Sequence, residues 1–106
     1  MKKDKFTVVS ASDCRRENRK FSMLSVYDYP TAKYAEEAGV NSLLVGDSLA
    51  MTVLGHEDTL SLTMEEMLHH VKAVSRASQY AMVVADMPFM SYQISPQQAV
   101  ENAGRF

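Results

Sequence analysis

Two aspartates stand directly after short apolar runs. Leu43-Leu44-Val45 stops on Gly46-Asp47-Ser48, and Ala81-Met82-Val83-Val84-Ala85 stops on Asp86. Runs this short, bounded this sharply, suit strands buried on both faces. Parallel strands of that kind deliver functional groups at their carboxyl ends, where ligands collect. Asp47 and Asp86 would then share one rim, with Ser48 adding a hydroxyl. Two carboxylates without cysteine or suitably spaced histidine favour Mg²⁺ over zinc. The competing reading is that each aspartate caps a following helix. For Asp28, which ends the run Phe21 to Val26, the cap is the better reading, because Tyr29-Pro30 opens a helix at once. After Asp47 and Asp86 no helix start is evident, which leaves both readings open there.

The elements that must position these groups follow from pattern. Phe21 to Val26 reads as a first strand. Ala32, Ala35 and Ala38 recur at helical spacing after Pro30, and Gly39 stands where a helix takes a left-handed stop. Ala50 to Leu62 shows no period and reads as a loop on the functional rim. Thr63-Met64-Glu65-Glu66 is a capping box, with Leu62 and Met67 placed for a hydrophobic staple. Met64, Met67, Leu68, Val71 and Val74 form one apolar stripe. His69 and His70 point about 100° apart on a helix and cannot both face one metal, so His70 reads as helix surface. After the third strand, Ser95-Pro96-Gln97-Gln98 opens another helix, with Ala99, Ala103 and Phe106 on one face.

Strand and helix therefore alternate three times. That order predicts an α/β fold with a parallel sheet and right-handed crossovers. Three parallel strands leave ladder groups unpaired at both edges. The expectation is that residues 1–106 form the leading, incomplete part of a single (β/α)₈ barrel domain of about 250 residues.

Composition narrows the function class. The 106 residues are 46% apolar with a net charge of −2. That argues against disorder and against a field that would attract nucleic acid or an anionic membrane. Asp13 to Lys20 carries four basic and two acidic side chains and reads as a solvated helix face. The one cysteine, Cys14, forms no internal disulfide and reads as a surface residue of a reducing compartment. No stretch is apolar enough for a signal core or a membrane span, so a soluble cytoplasmic protein is expected.

Several longer motifs, in order, resemble ketopantoate hydroxymethyltransferase. They are Tyr27-Asp28-Tyr29-Pro30-Thr31-Ala32-Lys33, Ala38-Gly39-Val40, Val45-Gly46-Asp47-Ser48-Leu49, Val53-Leu54-Gly55-His56-Glu57-Asp58-Thr59-Leu60, Val84-Ala85-Asp86-Met87-Pro88-Phe89 and Ser91-Tyr92-Gln93. Together they cover about residues 21–105. The resemblance implies the first three β/α units of a TIM barrel. It implies hydroxymethyl transfer from methylenetetrahydrofolate to 3-methyl-2-oxobutanoate, giving 2-dehydropantoate in pantothenate biosynthesis, with Mg²⁺ and a homo-oligomeric enzyme. Carried over residue by residue, Asp47 and Asp86 are metal ligands, and Asp47, Ser48 and Asp86 line the keto-acid site.

Two positions depart from the family pattern: Ala50 and Met90 stand where glycine is usual. The family's general base, its substrate-contacting lysine and a further acidic ligand correspond to positions beyond Phe106. The 106 residues alone are therefore expected to be inactive and poorly folded. Three other readings compete: a lyase or mutase acting on keto acids from a related barrel, a truncated non-catalytic remnant, and a phosphoacceptor receiver domain. The last wants an adjacent acidic pair after an early strand, which this sequence lacks.

Overall fold

The computed structural model describes residues 4–106. Helix α1 (Val8–Arg16) comes first, followed by β1 (Met23–Ser25), α2 (Tyr29–Glu37) and β2 (Ser42–Val45). The short α3 (Leu49–Thr52), α4 (Met64–Ala77), β3 (Met82–Ala85) and α5 (Pro96–Arg105) complete the order. The sheet runs β1-β2-β3 with every neighbour parallel. Strands joined by helices and lying parallel are the opening pattern of a (β/α)₈ barrel.

Local chemistry sets most of the boundaries. The Thr7 hydroxyl accepts from the Ser10 N–H and the Ser10 side chain accepts from Thr7 N–H, which starts α1. That start lies earlier than the charged stretch 13–20 suggested. The same stretch holds the helix end, where Asn18 takes a left-handed φ of 56° and Arg19 N–H bonds the Cys14 carbonyl. Cys14 is buried at 3% exposure, which corrects the surface reading: it lies on the inner face of α1. Asp28 accepts the Thr31 N–H at 2.8 Å and begins α2, with Pro30 in the first turn. Gly39, at φ 93°, ends that helix; Gly39 and Val40 N–H groups bond the Glu36 and Ala35 carbonyls. Ala32 and Ala35 are buried, whereas Ala38 falls at the exposed cap.

Thr63 and Glu66 form the expected reciprocal cap of α4. Met64, Met67, Val71, Val74 and Ala77 are buried along one stripe, and Leu68 is half-buried beside it. This stripe, Ala32 and Ala35 of α2, and Leu43 and Val45 of β2 make the core. Burying each large aliphatic side chain contributes about 1.5–3 kcal/mol. Central β2 is buried except at Leu44, which is half-buried, while β1 is exposed along its length. Pairing beside β1 extends from Ser22, whose carbonyl accepts Ser42 N–H, to Val26, whose N–H bonds the Leu44 carbonyl. Ser95 caps α5 by accepting Gln98 N–H at 3.1 Å. No residue of α5 is buried, so the face expected from Ala99, Ala103 and Phe106 is not packed among the described residues.

At the amino end of the sheet, Glu36 joins α2 to the α4–β3 connection. Its carboxylate accepts from the Ser78 hydroxyl and from the N–H groups of Gln79, Tyr80 and Ala81, at 2.7–3.1 Å. Burial pushes this carboxyl up. The donors of Ala81, Gln79, Ser78 and Tyr80 outweigh it and hold the group below its ordinary value. Among the described residues no helix is long and apolar enough to cross a membrane.

Candidate active site

The parallel register decides what meets at the carboxyl ends. Val45 pairs with Ala85, so the chains leave β2 and β3 at the same level. The Asp86 N–H bonds the Val45 carbonyl at 3.0 Å, which extends the ladder by one step. The Asp86 carboxylate then turns back across the strands and accepts the Asp47 N–H at 3.0 Å. Asp47 and Asp86 thus stand on one rim and line one open cleft with Ala85, Met87 and Tyr92.

Gly46 matters here for space, since its φ is not positive. A Cβ at position 46 would come 3.4 Å from Asp86 Oδ2 and 3.6 Å from Ser48 Oγ. Any longer side chain would fill the gap between those two oxygens. Ser48 Oγ shares a hydrogen bond of 3.1 Å with the Tyr27 hydroxyl, which reaches over from the end of β1. The His70 Nδ1 lies 2.8 Å from the Tyr27 carbonyl. Asp28 is not part of the cluster; its carboxylate caps α2.

Two expectations need correction at this rim. A helix does start straight after Asp47-Ser48: α3 begins at Leu49 with Ser48 in the cap position. Ser48 makes no side-chain cap bond, because its backbone is helical (φ −57°, ψ −15°) and not extended as a capping residue's is; its hydroxyl meets Tyr27 instead. His70 is likewise not plain helix surface: the His70 ring is half-buried and tied to the backbone of β1's end. The His69 and His70 rings meet edge to face at 5.4 Å, so they do not converge on a common ion.

Tyr27 and Tyr92 were not singled out from the sequence. Tyr27 carried a usable signal, since it immediately follows an apolar run and precedes a capping aspartate. Tyr92 sits in the irregular stretch after β3, where no periodicity marks direction. Met90, in that stretch, has a φ of 67°. That is the left-handed region, which explains why glycine suits the position. Ala50 is fully buried in α3, where a longer side chain would have no room.

Among the described residues no three His, Cys, Asp or Glu side chains converge. The rim supplies a pair of carboxylates and nothing softer. A cleft at the other end of the sheet, lined by Lys33, Glu36, Glu37 and Tyr80, lacks such a pair of open groups, because Glu36 is saturated by its own donors.

Comparison with known proteins assigns the chain to a family. A family profile described as ketopantoate hydroxymethyltransferase matches residues 5–106. The 3-methyl-2-oxobutanoate hydroxymethyltransferase of Carboxydothermus hydrogenoformans is 59% identical over 103 residues, covering 97% of this chain and 37% of that protein. Its namesake in Acetivibrio thermocellus is 58% identical over 102 residues, covering 96% and 36%. The one from Dehalococcoides mccartyi is 56% identical over 100 residues, covering 94% and 36%. The chain spans little more than a third of the length of these relatives. With nearly every residue matched at more than half identity, the chain belongs to the ketopantoate hydroxymethyltransferase family.

Proposed function

We propose that residues 1–106 are the first part of a TIM-barrel hydroxymethyltransferase and carry part of its keto-acid site. The reaction is transfer of a hydroxymethyl group from methylenetetrahydrofolate to 3-methyl-2-oxobutanoate, giving 2-dehydropantoate for pantothenate synthesis. One observation carries the reading: the Asp47 N–H and the Asp86 carboxylate meet at 3.0 Å on the rim of the sheet, inside a segment that matches the family. In this reading the whole protein is a cytoplasmic homo-oligomer.

The residues present fit a Mg²⁺ ion. Both donors are hard carboxylate oxygens, and Gly46 keeps the space beside Asp86 Oδ2 and Ser48 Oγ open. Asp47 and Asp86 would hold the ion, leaving its other positions to water and substrate oxygens. When bound, Mg²⁺ draws electron density from the substrate carbonyl and makes the neighbouring C–H more acidic. Ser48, held by Tyr27, presents a hydroxyl to the keto acid. Tyr92 and Met87 line the cleft beside the two carboxylates. General-base catalysis commonly contributes about 10²–10⁴ in rate. By the family resemblance the base corresponds to a position beyond Phe106, so residues 1–106 would contribute metal and keto-acid contacts and not the base.

The test is direct. The full-length protein carrying this chain is supplied with 3-methyl-2-oxobutanoate, methylenetetrahydrofolate and Mg²⁺, and 2-dehydropantoate is measured. Formation that stops when a chelator removes the metal is expected. Absence of product under those conditions, with a relative active in parallel, overturns the reading.

A further inference from the structure

Three hydrogen bonds cross the rim in sequence, each joining neighbouring elements. His70 Nδ1 meets the Tyr27 carbonyl at 2.8 Å, joining α4 to the end of β1. The Tyr27 hydroxyl meets Ser48 Oγ at 3.1 Å, joining β1 to β2. The Asp47 N–H meets Asp86 Oδ2 at 3.0 Å, joining β2 to β3. His70, Tyr27 and Ser48 do not line the cleft itself; Ser48 Oγ stands at its border, with only the space beside Gly46 between it and Asp86 Oδ2.

We infer that His70 is a positioning residue of the site, acting through Tyr27 on Ser48. The inference rests on the reading of Asp47 and Ser48 as part of the keto-acid site. A carbonyl only accepts, so Nδ1 must carry the proton and the tautomer of His70 is fixed. Tyr27 needs such a partner. At Val26 the ladder still holds, with Val26 N–H on the Leu44 carbonyl. At Asp28 the chain already turns into the cap of α2. Tyr27 lies between these two and packs against the core, and its carbonyl is met by the α4 side chain. Without that bond a half-buried carbonyl loses its donor, at a cost of about 1–3 kcal/mol, unless the peptide turns. The backbone at Tyr27 then shifts to find another donor, and the ring moves with its Cα, away from Ser48 Oγ. Ser48, whose helical backbone (φ −57°, ψ −15°) gives its side chain no cap bond, is then left with no partner to fix its hydroxyl.

The test uses the full-length protein carrying this chain and two independent readouts. The first needs no ligand. With ¹⁵N-labelled histidine, His70 should show the Nδ1–H tautomer. In His70→Ala the amide resonances of Tyr27 and Ser48 should shift while α4 stays helical. In His70→Asn, whose side-chain N–H can stand in for Nδ1–H, they should return towards the wild type. The second is kinetic. His70→Ala should lower kcat/KM for the keto acid by about tenfold to a hundredfold, the scale of a small misplacement. His70→Asn should recover most of it, and His70→Ala should add little to Tyr27→Phe. Shifts confined to α4, an Nε2–H tautomer, or losses for His70→Ala and Tyr27→Phe that simply add would each overturn the inference. Failure of the wild-type protein to make 2-dehydropantoate would sink the function instead; the resonance readout still decides the role of His70.

Discussion

The two ends of the sheet use the same functional group in opposite ways. At the amino end, the Glu36 carboxylate accepts from one hydroxyl and three backbone N–H groups. At the carboxyl end, among the described residues, Asp86 accepts the Asp47 N–H and the Asp47 carboxylate accepts no hydrogen bond, while both face an open cleft. A carboxylate whose lone pairs are all engaged by its own chain has nothing left to offer a ligand. Its work is to hold a connection in place. A carboxylate with spare lone pairs on an open rim is stabilised only when a cation or donor arrives. Saturation of its lone pairs separates the structural acid from the candidate ligand.

The sharpest way to break this comparison is to exchange charge for amide at each end. In the full-length protein, Asp86→Asn should lower kcat/KM for the keto acid by about 10³-fold, or ~4 kcal/mol of transition-state stabilisation. Its unfolding midpoint should stay close to that of the wild type. Glu36→Gln should do the reverse. It removes an acceptor from N–H groups that then lie unsatisfied, and should cost about 3 kcal/mol in urea unfolding, from at least two orphaned donors at 1–3 kcal/mol each. Activity per folded molecule should persist. If Glu36→Gln leaves stability unchanged, or Asp86→Asn unfolds the protein, the assignment of roles is wrong.

Acidification sharpens the contrast. Glu36 is held below its ordinary value of 4.5 in the folded protein, so the folded state keeps the charged form longer than the unfolded chain does. Its contribution is fully present above the unfolded value and is lost as pH falls through the lower, folded one. Stability measured from pH 6 downward should therefore drop below about 4.5, and Glu36→Gln should flatten that part of the curve. An identical acid limb in the variant would show that other groups govern it.

The smallest effect concerns the loop beside the rim. Met90 holds a φ of 67° with an exposed side chain. Met90→Gly should raise stability by about 1 kcal/mol by removing the left-handed penalty. A loss of stability on thermal unfolding would mean that the methionine side chain contributes contacts worth more than the backbone conformation costs.

What could be read from the order of residues was local. The caps at Asp28, Thr63 and Ser95 each join groups three residues apart. The helix stop at Gly39, the buried runs and the strand-ending aspartates also lie within one turn or one strand of the residues that reveal them. Alternation of those elements was enough for a parallel sheet, and parallel strands are enough to bring Asp47 and Asp86 to one rim. The charged stretch 13–20 is largely exposed, as read, but only residues 13–16 are helical, because charge marks exposure and not helix ends; the start of α1 came from Thr7 and Ser10.

Only the tertiary structure decided which side chains meet across that rim. Tyr27 and Ser48 are 21 residues apart, Asp47 and Asp86 are 39, and Tyr27 and His70 are 43. Glu36 reaches donors 42–45 residues away. Propensity and periodicity are sums over neighbours in the chain and carry no term for such pairs. The direction of a hydroxyl or a ring nitrogen is set by which partner the packed elements bring within about 3 Å. For that reason Tyr27 gave no sign of meeting Ser48, and His70 could pass for surface, until the strands and α4 were placed side by side.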